Sequence, residues 1–506
     1  MRTKILAVSA ALALAGLPLF AEGTAEGAAG ERTTLTVELF DRGNMEGNSL
    51  TEGPITQYIL ENFAEPNNID FQWKVLPRGE EESGLTLWMA AGDAPDLSFT
   101  YSWPLIFKFV QDGGVRPVDD LLEQHGQELA AWLGDHVLSY GQVGGVQYAI
   151  PSPRETIGNH GFWVRKDWLD AVGLDVPETA DELHQALLTI KQQDPGNLGG
   201  DLVPMAMNAG LWGEAFTNLM SSFIDPSVSD DARERAGYGW RLYPGNTLMT
   251  APGYLDGLRF LNKLHNEGLF HPDWALDNYE TRNYWAHINA GRAAVFSDQT
   301  WTLFSGDSLA GARDLPGAEW WPFDFRNADG KRVKQTYTSA QVRNFIPATS
   351  SDPSAINVIK YLTFLIQDDP QLFLPYGETR ASGGDSPELM WFDKIFVVMG
   401  RAFSADTYVE DTSARFPEYA ERIRLNMDIS VRDGRPEVKL DGVSETEARM
   451  QGTIREKQIE WVVRIIAAAP EDVDGLYARA VEELDELGAG KIYEELTALY
   501  DQTYGN

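Results

Sequence analysis

Residues 159 to 196, NHGFWVRKDWLDAVGLDVPETADELHQALLTIKQQDPG, hold one extended segment that feeds two helices. The apolar run Gly161 to Val164 favours a buried strand. Arg165-Lys166-Asp167-Trp168 then opens a short helix that ends at Gly173, because glycine takes the left-handed turn at a helix C-terminus without steric cost. Past Val176-Pro177-Glu178, Thr179 is placed to cap a second helix, with Glu182 three residues on as its reciprocal partner. Leu183, Ala186, Leu187 and Ile190 share one face of that helix and so predict its buried side.

The chain ahead of this segment starts with Met1-Arg2-Thr3-Lys4, an apolar run from Ile5 to Phe20 and Ala21-Glu22-Gly23, the pattern of a secretory signal peptide cleaved after Ala21. The run is too short for a comfortable membrane anchor. Residues 22–32 are small and polar without periodicity, which predicts a flexible mature N-terminus. The sequence has no cysteine, so disulfides and thiolate metal sites are excluded and burial must supply the stability. A mature chain of about 485 residues does that as two or more domains.

The formal net charge is −35, which argues against nucleic acid as a partner. It predicts a solubilising surface suited to a saline or alkaline exterior; the sharper alternative is an acidic cleft for a cationic solute such as a polyamine or basic peptide.

Alternation along Thr33 to Phe40 and Ile69 to Val75 predicts two strands, with a helix over Pro54 to Asn62 between them. A helix from Glu81 stops at Gly92, and Asp93 to Phe99 turns into a third strand, an order that indicates an α/β lobe with a largely parallel sheet. Further on, Leu202 to Met207 reads as a strand and Tyr254 to Asn266 as a helix. Trp320 to Phe325 and Arg332 to Thr338 flank Asn327-Ala328-Asp329-Gly330-Lys331, a hairpin signal. A helix capped by Ser351 or Asp352 runs to Ile366, and the rest is mostly helical, including Ile454 to Ala469 and Val473 to Leu487.

The 159–196 segment closely resembles the signature of bacterial extracellular solute-binding proteins of family 1, the carbohydrate-uptake class that serves ABC transporters. Gly92-Asp93-Ala94-Pro95-Asp96-Leu97, Gly114 to Leu122, Gly144 to Pro151, Glu267 to Pro272 and Ala290 to Phe296 are similar to further elements of that family, in the same order. The resemblance implies an α/β, two-lobed periplasmic-binding-protein type 2 fold with discontinuous lobes, hinge strands and a helical C-terminal part. Expected boundaries are 1–21 signal peptide, 22–32 mature N-terminus, 33–150 first segment of lobe 1 and 151–295 first segment of lobe 2. Residues 296–350 are expected to return to lobe 1 and the hinge, and 351–506 to complete lobe 2. Hinge closure around a ligand is the motion of such proteins. The family resemblance further implies capture of an oligosaccharide, delivery to ABC permease subunits, no catalysis and no cofactor. Many members carry a lipid-bearing Cys at the first mature position, where this chain has Glu22, so a soluble, monomeric periplasmic or extracellular protein is expected.

A sugar offers an apolar ring face and a rim of hydroxyls, which aromatic and polar side chains meet together. Open α/β sheets place ligands beyond the C-terminal ends of their strands. Topology and resemblance therefore select Asp41, Tyr101, Trp103, Arg154, Glu155, Asn159, His160, Asn208, Trp212, Asp298 and Trp301, with Tyr376 and Arg380 in a glycine-containing loop. Arg165 and Asp167 read instead as an ion pair that fixes a helix start.

Some long members that bind acidic oligosaccharides carry a calcium loop after the second signature helix. The corresponding run here, Asp194 to Pro204, is shortened and has Leu198 and Leu202 where oxygen ligands are needed, so no metal is expected. The histidines form no HExxH pattern. A secreted glycoside hydrolase is the enzyme rival, because it also needs a cleft with paired carboxylates, and a peptide or other small-solute receptor is the alternative on the same fold. The signature and the order of elements favour the binding protein, and no GxSxG, Walker loop or GxGxxG with strand context occurs.

Overall fold

Strands Thr33–Asp41 (β1) and Ile69–Pro77 (β2) pair in parallel along their whole length, from Thr33 opposite Ile69 to Asp41 opposite Pro77. The computed structural model describes residues 32–42, 49–154, 156–158, 160–208, 219–239, 247–277, 283–304, 309–327, 329–367, 394–395, 397–399 and 405–505. The expected signal peptide and all of 22–32 except Arg32 lie outside the described residues. The remaining strands that shape the molecule are Ser98–Thr100 (β3), Ala149–Pro153 (β4), His160–Arg165 (β5), Val203–Ala206 (β6), Ala293–Gln299 (β7), Trp320–Phe323 (β8), Lys334–Thr336 (β9), Ala340–Phe345 (β10) and Gly434–Pro436 (β11).

Two sheets follow one plan. In the first lobe the order is β2, β1, β3, β10, β4; β3 continues from a parallel bridge between Val37 and Leu97, and β10 runs antiparallel to both neighbours. In the second, Phe270 bridges β6 in parallel, β6 is parallel to β7, and β5 lies antiparallel between β7 and β8. Each sheet thus has one reversed strand in its fourth position. That strand is the one arriving from the other lobe.

The pattern of β5 explains the apolar run in the signature. Phe162 and Val164 enter one core of the second lobe with helix Ala180–Gln193 and the C-terminal helices Glu445–Ile466, Val473–Glu486 and Ala489–Tyr504. Trp163, on the opposite face, enters another with Phe296, Trp320 and helix Ala420–Val431. A strand covered on both faces has no polar side to show. Helix Lys166–Val172 ends at Gly173 with φ +73°, and Thr179 and Glu182 form the reciprocal cap. Leu183, Ala186, Leu187 and Ile190 are all buried. Arg165 makes a bidentate contact with Asp167, at 2.8 and 2.5 Å, and Asp167 also accepts the Glu319 amide, which fixes the helix start against β8.

Three expectations shift. The first sheet is mixed, because β10 is inserted antiparallel between β3 and β4. Residues 296 to 337 stay largely with the second lobe, since β7 and β8 both pair with its sheet. Helix Asp352–Leu365 packs against β1 in the first lobe, not in the second lobe: its Ala355, Val358, Ile359 and Leu362 share one core with Leu35, Val37 and Phe99. The turn at Asn327 does form, with its Oδ1 accepting the amides of Asp329 and Lys331. Its flanks do not pair as a hairpin: β8 pairs with β5, and β9 pairs in parallel with β11.

Replacing Thr179 by Ala removes the hydroxyl that accepts the Glu182 amide. The expected cost is about 1 kcal/mol of unfolding free energy, read from urea denaturation.

Candidate functional site

The chain crosses from the first lobe to the second at 153–160 and returns at 336–340, and these two segments lie side by side. The Arg154 amide donates to the Ser339 carbonyl at 3.0 Å, and the Tyr337 amide to the Ile157 carbonyl at 2.9 Å. Helix Ala420–Val431 backs the ribbon: the Gly158 amide donates to the Ser430 carbonyl, and a Cβ on Gly158 would come within 3.2 Å of that carbonyl and of the Lys334 side chain. Lys334 is buried beside Asp324 at 2.8 Å and also donates to the Ile429 carbonyl. Burial pulls its ammonium down from the ordinary lysine range, and the Asp324 carboxylate opposes that.

On the first lobe, the carboxyl ends of β1, β2 and β3 converge. Phe40 stacks with Tyr101 at 6.3 Å, and the Arg78 guanidinium lies over both rings, at 5.1 and 4.6 Å. Glu81 anchors this edge: one carboxylate oxygen meets Arg78 at 2.5 Å, and the other accepts the Thr100 hydroxyl and the Tyr101 amide. Arg343, on β10, donates to the Tyr101 carbonyl at 3.3 Å and lies over the Trp103 ring at 5.7 Å. Behind them Glu38 is fully buried and accepts the Phe99 amide at 2.9 Å. Burial raises its carboxyl well above the usual range, against the lowering effect of that hydrogen bond.

The second lobe contributes the carboxyl ends of β6 and β7. Asn208, just past β6, is buried. Asp298 is inaccessible to solvent and accepts from the Tyr284 hydroxyl at 2.6 Å, the Trp285 indole at 2.5 Å, the Thr302 hydroxyl at 2.8 Å and the Gln299 amide at 2.6 Å. Trp301 is half-buried, its indole donating to Gln299 at 3.1 Å.

Between the lobes lies a cavity of about 40 Å³, lined from the first lobe by Trp103, Tyr140 and Arg343 and from the second by Arg235, Glu437 and Lys439. That volume admits a few waters. Segment 437–443 reaches this wall from β11, with the Lys439 ammonium 5.9 Å from the Tyr140 ring. Burial raises the Tyr140 phenol and lowers the Arg235 guanidinium, the latter helped by Arg435.

The structure therefore gathers Asp41, Tyr101 and Trp103 on one edge and puts Arg154, stacked 3.3 Å from the Tyr337 ring centre, on the crossing ribbon. It assigns Asp298 to an internal network instead of an open wall. His160 begins β5 with its backbone opposite Gln299. Glu155, Asn159, Trp212, Tyr376 and Arg380 lie outside the described residues. Sequence reasoning missed Arg78, Tyr140, Arg235, Arg343 and Lys439. Arg78 directly follows the end of β2 and was reachable by the same strand-end rule; Arg343 sits within β10, where only the pairing of that strand reveals it. In the Asp194 loop, both carboxylate oxygens accept backbone amides, those of Leu198 and Gly199, so the turn closes on itself. Among the described residues no cluster of three or more His, Asp or Glu is placed to hold a metal, and no helix is long and apolar enough to cross a membrane.

Two mixed α/β lobes, joined by a paired ribbon with strand ends facing across it, define a two-lobed binding protein. The chain belongs to the bacterial extracellular solute-binding protein family, whose model matches residues 47–372. It is similar to lipoprotein LipO of Bacillus subtilis, 31% identical over 186 residues, 34% of each chain. It is also similar to the fructooligosaccharide ABC transporter substrate-binding protein FusA of Streptococcus pneumoniae, 25% identical over 247 residues, 44% of each chain. The aligned segments thus span less than half the length of these curated relatives. Among solved structures, the alginate-binding protein AlgQ2 without calcium ion superposes with a TM-score of 0.65 at 17% identity, covering 93% of this chain and 98% of that one.

Asp298→Ala leaves two hydroxyls and an indole without their acceptor in a dry site, so unfolding free energy is expected to fall by about 3 kcal/mol or more in urea denaturation. Glu38 carries a second prediction. Its folded pKa lies above the unfolded one, so its contribution to stability is complete below the unfolded pKa and is lost as pH rises through the folded value. Glu38→Gln keeps an acceptor for the Phe99 amide and no charge; urea unfolding at about pH 4.5 and about pH 8 should show a smaller loss of stability with rising pH in the variant than in the parent.

Proposed function

We propose that the protein is the solute-binding component of an ABC importer, which captures an oligosaccharide between its lobes and delivers it to a membrane permease without making or breaking a bond. The observation that carries this reading is the cavity between the lobes, to which the first lobe contributes the rings of Trp103 and Tyr140 and the second lobe the polar and charged groups of Arg235, Glu437 and Lys439. Aromatic faces with a polar rim suit a sugar ring and its hydroxyls. Membership of the family and the likeness to FusA, named for fructooligosaccharide, support the same class of cargo. The paired crossing segments supply few bonds to bend between two separately packed cores, which suits hinge closure.

A thermal-shift and calorimetric screen of the protein against oligosaccharides, with short peptides and polyamines as contrasts, tests the reading. A saccharide at a hundredfold its Kd should add about 2.7 kcal/mol of stability. The ligand should be recovered intact after incubation. Trp103→Ala is expected to weaken saccharide binding about tenfold, equivalent to about 1.4 kcal/mol, with the unfolding temperature of the free protein little changed. Stabilisation by peptides or polyamines alone, or breakdown of the saccharide, would overturn the proposal.

A further inference from the structure

Helix Trp103–Gln111 of the first lobe buries Pro104, Ile106 and Phe109. Phe107 lies outside both lobes' cores, about one helical turn beyond Trp103, and is nevertheless half-buried. The second lobe reaches it there. A Cβ on Gly442 would stand 4.0 Å from the Phe107 ring and 3.0 Å from the Leu499 side chain, and helix Glu445–Ile466 packs against helix Trp103–Gln111. Gly442 is buried and its φ lies outside the left-handed region, so the backbone does not call for glycine; the close approach of the two lobes does. The segment around Gly442 is fastened to its own lobe. The Tyr504 hydroxyl donates to the Lys439 carbonyl at 2.7 Å, the Asp441 amide donates to the Thr503 hydroxyl at 3.2 Å, and the Ser444 hydroxyl donates to Glu495 at 2.5 Å. Towards the first lobe it presents the bare backbone of Gly442 to Phe107 and the Lys439 ammonium to the Tyr140 ring, at 5.9 Å. Gly442 and Trp103 both line the interlobe cavity, so the contact stands beside it.

We propose that Phe107 and Gly442 are positioning residues that form a latch between the lobes, and that the seating of this ring against bare backbone holds the lobes at the separation seen here. The crossing ribbon joins the lobes through backbone hydrogen bonds that survive a hinge motion, so it tethers them without fixing the angle between them. The Phe107–Gly442 contact is of another kind. It consists of apolar burial and van der Waals attraction, which vanish within an ångström or two of separation. It therefore stabilises the near arrangement of the lobes and adds nothing to a wider one, which is the condition for shifting a two-state equilibrium. A side chain at position 442 would enter the space between Phe107 and Leu499 and act as a wedge. Because Phe107 belongs to neither core, removing its ring changes the balance between the two arrangements and not the fold of either lobe. The latch goes beyond the saccharide reading and holds for any cargo.

The chain has no cysteine, so spin labels can be placed at will. Glu123→Cys and Glu482→Cys carry nitroxides on exposed positions of the first-lobe helix Asp119–His125 and the second-lobe helix Val473–Glu486, and pulsed electron double resonance reads the distance between them. Phe107→Ala, which removes the ring, and Gly442→Phe, which inserts the wedge, should each move weight from the parent's shorter distance to a longer one, lowering the ratio of near to far populations about tenfold. Small-angle scattering of the unlabelled proteins should show a larger radius of gyration for the same two variants. Circular dichroism identifies a variant that fails to fold, and the other variant then carries the test. A folded variant whose distances and radius coincide with those of the parent would overturn the latch. No ligand enters the measurement, so this outcome leaves the saccharide reading untouched, and failure of that reading in the binding screen leaves the latch standing.

Discussion

The backbone pairing of the two crossing segments is the constraint on which the rest of the structure depends. Because Arg154 is bonded to Ser339 and Tyr337 to Ile157, the outgoing and returning chains must run antiparallel at the boundary between the lobes. Each then enters its new sheet as the reversed strand, β5 in one lobe and β10 in the other. That single geometry turns the carboxyl ends of both sets of parallel strands towards one gap, the place where open α/β sheets hold ligands. Gly158, pressed against Ser430 and Lys334, shows how little room the ribbon leaves for anything but backbone.

Buried polar groups hold the walls of that gap in place. Asp298 gathers a tyrosine, a tryptophan and a threonine, and so joins β7 to helix Tyr284–Asn289 and to the turn that carries Trp301. Glu81 does the same on the other side, tying Arg78 to the backbone that follows β3. Such groups cost desolvation and return it only when every acceptor is used. Their role is therefore to fix where the strand-end residues stand.

Much of the second lobe was legible from the residues alone. The Thr179–Glu182 cap, the Gly173 stop and the helix face of Leu183 to Ile190 are local, set by hydrogen bonds and periodicity within one turn or two, and they occur as written. The strand-end rule foresaw that Asp41, Tyr101 and Trp103 stand at the carboxyl ends of the first lobe's strands. It could not foresee the network around Asp298, because position after a strand says nothing about which neighbours fold back onto a side chain.

By itself the sequence determined the element types and the family likeness, since each depends on patterns close along the chain. Only the tertiary structure decided which lobe receives helix Asp352–Leu365, that the flanks of the Asn327 turn part company, and that Arg343 and Lys439 come to opposite sides of one cavity. The physical reason is common to all three. Each is a pairing between segments tens to hundreds of residues apart, selected by which surfaces bury best together, and no local pattern in the chain encodes that choice.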